Sequence, residues 1–410
     1  MAKNWIELRT TIFLLLAASW LAGGSGTGSS GTSEANEHFA LLLSTSLGVG
    51  RPQHNVAVSP ILLQSALALL YAGAASESPT ARELRRALQL QHLGSPGQVV
   101  LRFQELMSAL KQAPPISCKM RLLSEFYTRQ RYTFDFRDEF EVQAGRMGIG
   151  TNRLDFDKAS TAAERINYDF LTRTNYSVGE VVSAPLLELA MEDTPFLHVS
   201  ALTFSGAWAA AFDAKETERL NFFSNEHNFK LVDAMFSQHR FKYAEVQDLD
   251  ARIIELPYDR SSLSLLIVYP NQVTGLTALE RKLLGTNLQH LRRQLQERKV
   301  ALTLPKFSLV VHNNLKETLT QLGMGKMFTD EAQFSNIFSA LLSSSAPHLS
   351  TVAHTVVLEI DERGGDAGGT FFAAFGDLFR ATVPLVINHP FYFVISNEDV
   401  VLLAGHIVDI

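Results

Sequence analysis

The residue types that most often carry catalytic chemistry are present, but their spacing matches no known catalytic motif. The chain has 12 histidines and one cysteine, Cys118. It contains no H-E-x-x-H zinc motif, no C-x-x-C pair, no G-x-S-x-G nucleophile turn and no phosphate-binding P-loop. A single cysteine excludes an intrachain disulfide and a multi-cysteine zinc site. The sequence therefore predicts neither an enzyme nor a bound metal or cofactor.

Composition indicates a globular chain with a large core. Of the 410 residues, 46% are apolar and 19% are charged, so disorder driven by charge is excluded. Lys and Arg number 36 against 42 Asp and Glu, which gives a formal charge of −6. Phosphate backbones select for a basic excess, so we do not expect a nucleic-acid partner.

The N-terminus has the order of features typical of a secretory signal peptide. Lys3 and Arg9 precede an apolar run at 12–18, and small residues follow at 22–24. The alternative is an uncleaved membrane anchor, but this run is short for a bilayer. We assign 1–23 to a signal peptide and 24–36, rich in Gly and Ser, to a flexible leader. The mature protein is then expected to be secreted, extracellular and monomeric, without a membrane segment.

Helix and strand signals mix along the rest of the chain. Ser59-Pro60 and Ser78-Pro79 each combine an N-cap with a proline at the first helical position. Strands are predicted at 252–256, 263–270 and 300–305, and the C-terminal part is rich in strands. Because no internal repeat or linker separates these elements, we predict one α+β domain over 37–410.

One long connection interrupts this pattern. Residues 361–390 join two predicted strands and contain GGDAGGTFFAAFGDLFRATVPLV, which has no helical period. Long connections without secondary structure inside a compact domain are usually functional or disordered. Small residues alternate with apolar ones in this segment, so disorder driven by charge does not explain it.

Six motifs, in order, resemble the serpin family over about 37–410. They are N-V-A-V-S-P at 55–60, L-T-F-S-G-A-W-A-A-A-F at 202–212, L-P-K-F at 304–307, L-K-E-T-L-T-Q-L-G-M-G-K-M-F at 315–328, H-T-V-V-L-E-I-D-E-R-G at 354–364 and N-H-P-F-Y-F-V-I at 388–395. The resemblance implies a fold of three β-sheets and roughly nine helices. It also implies that the long connection is an exposed reactive-centre loop.

The resemblance implies a function in which this loop is cleaved by a serine protease. The freed arm then inserts as a strand into an existing sheet, and the protease is trapped as an acyl-enzyme. Small side chains favour insertion, and the resemblance places the hinge at Glu362, Arg363, Gly364, Gly365, Ala367, Gly368, Gly369 and Thr370. Gly365 and Phe371 depart from the inhibitory pattern. They favour the alternative of a non-inhibitory serpin that binds or carries a ligand or is a plain protease substrate.

The position of the scissile bond is open to within two residues. Counting forward from Glu362 places it at Leu378, and counting back from Pro390 places it at Phe379. Leu378 or Phe379 would suit a chymotrypsin-like or elastase-like protease, whereas Arg380 would suit a trypsin-like one. We rank Leu378-Phe379 first, Phe379-Arg380 second and cleavage after Arg380 third.

The resemblance also assigns residues beneath and beside the loop. Ser59, Asn167 and His354 align with a polar cluster under the opening of the central sheet, for which a satisfied core histidine is the alternative. Trp208 is expected to be a packing anchor rather than a ligand group. Lys306 and Glu362 match positions that form an ion pair in relatives, for which two unrelated solvated charges are the alternative. The acceptor sequence Asn175-Tyr176-Ser177 predicts N-glycosylation on a secreted chain.

Overall fold

A computed structural model describes most of the chain downstream of the N-terminal segment. The described residues are 28–112, 117–129, 135–156, 158–191, 196–339, 347–363 and 381–410. The predicted signal peptide lies outside them. No helix within these ranges is both long enough and apolar enough to cross a membrane.

Ten α-helices are described, and most of them lie in the first half of the chain. They are α1 (Gly28–Gly50), α2 (Pro60–Gly73), α3 (Pro79–Ala87), α4 (Pro96–Gln112), α5 (Asp138–Met147), α6 (Ala159–Arg173), α7 (Ala184–Met191), α8 (Leu276–Leu283), α9 (Leu288–Gln294) and α10 (Lys316–Leu319). A π-helical turn, Thr320–Met324, follows α10 directly. It contains Gly323 at φ 86°, a left-handed conformation that glycine adopts without strain.

Fourteen β-strands are described. They are β1 (Val56–Val58), β2 (Cys118–Arg129), β3 (Gly150–Leu154), β4 (Phe196–Gly206), β5 (Glu218–Phe223), β6 (Phe229–Val246), β7 (Ala251–Pro257), β8 (Ser264–Pro270), β9 (Gln296–Pro305), β10 (Phe307–Asn314), β11 (Leu349–Ile360), β12 (Val383–Val386), β13 (Phe391–Ser396) and β14 (Val401–Ile407). The three internal strands predicted from sequence correspond to β7, β8 and β9.

Helix α2 is buried on almost every side, as its apolar sequence predicts. Every residue of α2 except Ala72 is buried. Each fully buried leucine contributes about 1.5–3 kcal/mol, so this helix is a major part of the core. Its predicted N-cap differs from expectation, because the Ser59 hydroxyl makes no capping bond. By contrast, Ser78 accepts a hydrogen bond from the Ala81 amide at 3.1 Å and caps α3 as predicted.

Helix α1 begins inside the segment assigned to a flexible leader, so that boundary is corrected. From Gly28 onward the chain is helical. Asn36 is fully buried; it donates to Gln64 Oε1 at 3.0 Å and accepts from the Val401 amide at 2.6 Å. Ser33 donates to the Glu398 carbonyl at 2.9 Å. The polar side chains of this segment are therefore fixed by hydrogen bonds to the core, which its composition does not reveal.

The strands form two hydrogen-bonded sheets, and one of them combines two of the three expected sheets. A five-stranded sheet has the order β10-β11-β4-β2-β3. The larger one has the order β1-β14-β13-β8-β7-β6-β9-β12, with β5 also on β6. Strand β6 has 18 residues; its C-terminal part pairs with β7 and the rest pairs with β5 and β9. Strand β6 thereby joins two of the three expected sheets into one hydrogen-bonded sheet. The mixture of helices and sheets confirms the predicted α+β class.

Candidate functional site

The long connection leaves the five-stranded sheet at the end of β11 and rejoins the fold at β12. Residues 361–363 and 381–382 are its described ends. The hinge residues from Gly364 to Thr370 and the bond candidates Leu378, Phe379 and Arg380 lie outside the described residues. Strand β12 pairs in parallel with β9, with Val383 opposite Val300. The C-terminal end of the loop is thus held by a sheet edge.

Glu362 is held at the base of the loop by two side chains from different elements. Lys306 Nζ lies 2.8 Å from Glu362 Oε2, and Thr217 Oγ1 donates to Glu362 Oε1 at 2.9 Å. Partial burial acts to raise the pKa of Glu362, but the hydrogen bonds from Lys306 and Thr217 and the Lys306 charge outweigh it, and the pKa is lowered. The two residues that the resemblance paired are therefore in contact.

Trp208 fixes the backbone of the same segment. Its indole stacks on the ring of Tyr258, with centroids 4.7 Å apart and an interplanar angle of 16°. The indole Nε1 donates to the Asp361 carbonyl at 2.7 Å, and the Trp208 amide donates to the Arg363 carbonyl at 2.9 Å. Trp208 is 1% exposed, so it both packs the core and binds the loop base.

Below the loop base, β11 pairs directly and in parallel with β4. The register runs from Leu349 opposite Phe196 to Glu359 opposite Ser205, with one irregularity between Leu349 and Val352. No strand lies between them. The backbone groups that an inserted strand would use are occupied by this pairing, so the sheet is in its closed, five-stranded state.

His354 joins three elements at the middle of this seam. It is fully buried on β11; its Nε2 accepts from the Ser59 backbone amide at 2.9 Å, and its Nδ1 lies 2.9 Å from Ser200 Oγ on β4. An amide can only donate, so Nε2 carries no proton and Nδ1 donates to the serine. Ser59 and His354 are in contact through the serine's backbone amide rather than its hydroxyl.

A second buried histidine belongs to this cluster and was missed by the sequence analysis. His198 on β4 is 2% exposed, and its Nε2 lies 2.8 Å from Ser124 Oγ on β2. Its ring also packs on Phe126, with centroids 4.9 Å apart. The available signal was an isolated polar residue in the otherwise apolar run F-L-H-V at 196–199.

Asn167 is not part of the cluster, which corrects the assignment made from the resemblance. It lies on α6, where its Nδ2 donates to the Val182 carbonyl at 2.8 Å. Its Oδ1 accepts from the amides of Val181 and Val182 at 2.9 and 3.1 Å. Asn167 therefore ties α6 to the segment that follows it, and Ser124, His198 and Ser200 supply the polar partners at the seam.

Burial keeps both seam histidines neutral. Desolvation lowers the pKa of His198 to about 3. Desolvation, with a smaller contribution from His198, also lowers the pKa of His354 to about 3. A proton on His354 Nε2 would face the Ser59 amide hydrogen and break that bond, so the geometry and the electrostatics agree.

Two further predicted positions lie away from the seam. Asn175 is exposed just after α6 and adopts a left-handed φ of 54°. Cys118 is buried, and desolvation raises the pKa of its thiol, which opposes nucleophilic chemistry. Within the described residues, no group of three or more metal-ligating side chains is found.

Comparison with known proteins identifies the family. A family model described as Serpin (serine protease inhibitor) matches residues 34–410. The chain is a serpin. It is 31% identical over 367 residues to "Serine protease inhibitor 42Dd" of Drosophila melanogaster, covering 88% of this chain and 93% of the relative. It is 28% identical to "Leukocyte elastase inhibitor" of Bos taurus, covering 89% and 95%.

Solved structures agree with this serpin fold. "Cleaved Serpin 42Da" matches with a TM-score of 0.79 and 28% identity, covering 93% of this chain and 100% of that one. Uncleaved ovalbumin matches with a TM-score of 0.81 and 26% identity over the same shares. The serpin family is not a family of enzymes, so the prediction that this chain is not an enzyme is confirmed.

Proposed function

We propose that this serpin inhibits a serine endopeptidase by trapping it after cleavage of the reactive-centre loop. The observation that supports this most is the closed pairing of β4 with β11 directly below the loop base. A closed parallel seam can be replaced by two antiparallel ladders when a new strand enters, which satisfies more backbone groups. The native state would then be kinetically trapped above the inserted state.

The loop base fits a segment that must stay outside the sheet until it is cut. Glu362, Arg363 and Asp361 are bound by side chains and backbone from three other elements. These contacts are polar and partly exposed, so each contributes little individually and can be broken when the loop moves. They hold the hinge without making its release prohibitively unfavourable.

The target protease is proposed to have an apolar specificity pocket, because Leu378-Phe379 is the first-ranked bond. We test this by incubating the mature protein with chymotrypsin, elastase, trypsin and a subtilisin. A complex that survives denaturing electrophoresis is expected with chymotrypsin or elastase. The mass of the released C-terminal fragment then identifies the bond that was cut.

The rival function is a non-inhibitory serpin whose loop is a plain substrate or is never cleaved. Gly365 and Phe371 favour it, because glycine raises the entropic cost of strand formation by about 0.5–1 kcal/mol each and phenylalanine is bulky for the sheet interior. Cleavage by all four proteases without a stable complex and without a gain in thermal stability would support this rival.

We also propose that the protein is secreted after removal of residues 1–23. After expression in a eukaryotic secretory host, the protein recovered from the culture medium should have its N-terminus near residue 24. The exposed Asn175 should carry a glycan that disappears in Asn175→Gln. Retention of residues 1–23 on a membrane-bound protein would support the anchor alternative instead.

A further inference from the structure

A groove lies beside the C-terminal end of the reactive-centre loop. Its volume is about 530 Å³. Ala381 at the end of the loop and Val383 at the start of β12 form one side of it. The rest of the lining comes from β6, from the end of α9 and from the start of β9. None of these residues belongs to the loop base at Glu362 or to the β4–β11 seam, so trapping by strand insertion gives the groove no role.

A protease that cuts any of the three candidate bonds comes within reach of this groove. Leu378 is three residues before Ala381, and Arg380 is one residue before it. An extended chain spans at most about 3.6 Å per residue, so the cut bond lies within about 11 Å of the groove. Even a small domain is about 30 Å across, so a protease bound to the loop contacts the rim of the groove.

Two cations on the wall of the groove have no carboxylate partner. Arg298 is exposed, and its Nη2 donates to the neutral Gln296 Oε1 at 2.8 Å. Lys299 is half-buried. In the part of the chain that the structure describes, neither Arg298 nor Lys299 forms an ion pair. Both positive charges are therefore available to an acidic group from outside the chain.

The acidic residues of the lining are engaged by other side chains. Glu297 Oε2 lies 3.7 Å from Arg240 Nη1, and Glu245 Oε1 accepts a hydrogen bond from the Tyr243 hydroxyl at 3.0 Å. The described lining carries three basic side chains and two acidic ones. The groove is thus positive on a chain whose formal charge is −6.

The strand register also places like charges opposite each other at this wall. Arg240 on β6 is directly opposite Lys299 on β9. Like charges that face each other across a sheet are destabilising. The next residue of β9, Val300, is opposite Val383 of β12, so the two cations lie where the loop rejoins the sheet. An anion bound at this point would relieve the repulsion between them.

We propose that this groove is a second contact surface for the target protease and binds an acidic surface segment of it, rich in Asp or Glu. The proposal rests on the proposed function, because it requires a protease at the loop. Carboxylates would pair with Lys299 and with the planar guanidinium of Arg298, which can bind two oxygens at once. Charge complementarity of this kind raises the association rate more than the affinity. The groove would thus select among proteases that share an apolar specificity pocket.

The first test measures how fast the loop is cut. Chymotrypsin is compared with a chymotrypsin variant that carries extra carboxylates at the rim of its cleft, on the side that binds residues after the cut bond. Each rate is divided by the rate of the same enzyme on a short peptide substrate. The acidic variant should cut the loop about tenfold faster at about 50 mM salt, and the ratio should approach one at about 500 mM because salt screens the charges. The mass of the released C-terminal fragment reports cutting whether or not the protease is trapped.

A matched pair of double variants locates the effect. Arg298→Gln combined with Lys299→Gln should reduce the advantage of the acidic protease to within about twofold. The control uses the other exposed Arg-Lys pair, Arg281 and Lys282 in the last turn of α8, which does not line the groove. Arg281→Gln combined with Lys282→Gln should keep the full advantage. If the first double variant fails to fold, as judged by circular dichroism and thermal midpoint, Arg298→Gln alone replaces it.

A direct binding test does not require the loop to be cut. Fluorescein-labelled hexaglutamate is titrated with the mature protein, and its anisotropy is measured. Saturable binding is expected, and the double variant of Arg298 and Lys299 should weaken it by about tenfold or more. The double variant of Arg281 and Lys282 should stay within about twofold of the wild type.

The outcomes distinguish failure of this proposal from failure of the proposed function. If the loop is cut but no stable complex forms, inhibition is refuted, while a faster acidic protease still supports the groove. If chymotrypsin does not cut the loop, hexaglutamate binding decides. Equal normalised rates for the two proteases, or equal effects of the two double variants, overturn the groove. Binding of a sulfated oligosaccharide without binding of hexaglutamate would also overturn it, because the partner would then be a polysaccharide.

Discussion

His198 and His354 lie on the same face of the five-stranded sheet, one on each side of the β4–β11 seam, which would open in the proposed loop insertion. His198 is opposite Val352 and His354 is opposite Ser200, so the two histidines are offset by two residues along the strands and share a face. Both are buried and neutral, and the pKa of each is lowered to about 3. Any process that protonates them therefore acts on the strands that hold the native state closed.

We expect the native state to lose stability as the pH falls below about 6.5, the ordinary histidine pKa. The folded pKa lies below the unfolded one, so between about 3 and 6.5 the unfolded chain binds more protons. Each histidine then contributes a loss of about 1.4 kcal/mol per pH unit. Thermal midpoints measured from pH 8 to pH 4.5 check this.

His198→Asn is the informative variant for this prediction. It keeps a polar side chain but removes one titrating group, so the acid slope should fall by the share that His198 contributes, while His354 and His389, whose pKa values are also lowered, keep theirs. His227→Asn is the control, because His227 is exposed. An unchanged slope in His198→Asn would mean that other groups govern acid instability.

A third buried histidine, His406, has the opposite pH dependence. His406 Nδ1 lies 2.7 Å from Glu280 Oε1, and His406 Nε2 donates to the His54 carbonyl at 2.9 Å. Burial acts to lower the pKa of His406, but the hydrogen bond and charge of Glu280 outweigh it and the pKa is raised. Its stabilising contribution is fully present below the unfolded pKa and is lost as the pH rises through the folded one.

Glu280→Gln should therefore destabilise the protein most below pH 6.5. Breaking a buried ion pair on one side costs about 3–5 kcal/mol, and the loss of unfolding free energy should shrink as the pH rises through the raised folded pKa of His406. Glu297→Gln is the control, because Glu297 is an exposed partner of Arg240. This variant should change the free energy of unfolding by less than about 1 kcal/mol at either pH. Denaturant midpoints at pH 6 and pH 9 make the comparison. An equal loss of unfolding free energy in Glu280→Gln at both pH values would show that packing rather than charge dominates.

The loop base yields a kinetic prediction rather than one about stability. Lys306 is 44% exposed, so its pair with Glu362 is screened and Glu362→Ala should change unfolding free energy by less than about 1 kcal/mol. The same variant frees the hinge from Lys306 and Thr217, so conversion to a loop-inserted form on mild heating should accelerate. Native electrophoresis against time measures this rate.

Glu359→Ala is the matched control for the loop base. Glu359 is a nearby exposed acid that pairs with Arg363 but not with Lys306. Because the pKa of Glu362 is lowered, the stability that its ionised carboxylate contributes is present above the unfolded pKa of 4.5. That contribution is lost as the pH falls through the folded pKa. If Glu359→Ala and Glu362→Ala convert to the loop-inserted form at equal rates, Glu362 has no special role in holding the loop base.

The sequence predicts local features better than contacts between distant elements. Ser78-Pro79 identified the start of α3 because N-cap and proline preferences are local. The placement of Asn167 was wrong because its hydrogen bonds depend on how α6 meets the segment after it. His198 was missed because its importance arises from strand pairing between residues more than 150 positions apart. The leader boundary was wrong because hydrogen bonds, not apolar residues, fix the first turns of α1.

The last prediction distinguishes the three candidate scissile bonds by single substitutions in the loop. Leu378→Ala should slow association with chymotrypsin by about tenfold or more if Leu378 fills the specificity pocket, because truncating a buried large apolar group costs several kcal/mol. Phe379→Ala should then have a smaller effect on chymotrypsin, and Arg380→Ala should leave it unchanged. If Arg380→Ala instead abolishes a complex with trypsin while Leu378→Ala leaves chymotrypsin inhibition intact, the bond after Arg380 is the functional one. Association rates and fragment masses measured on the same samples decide between these assignments.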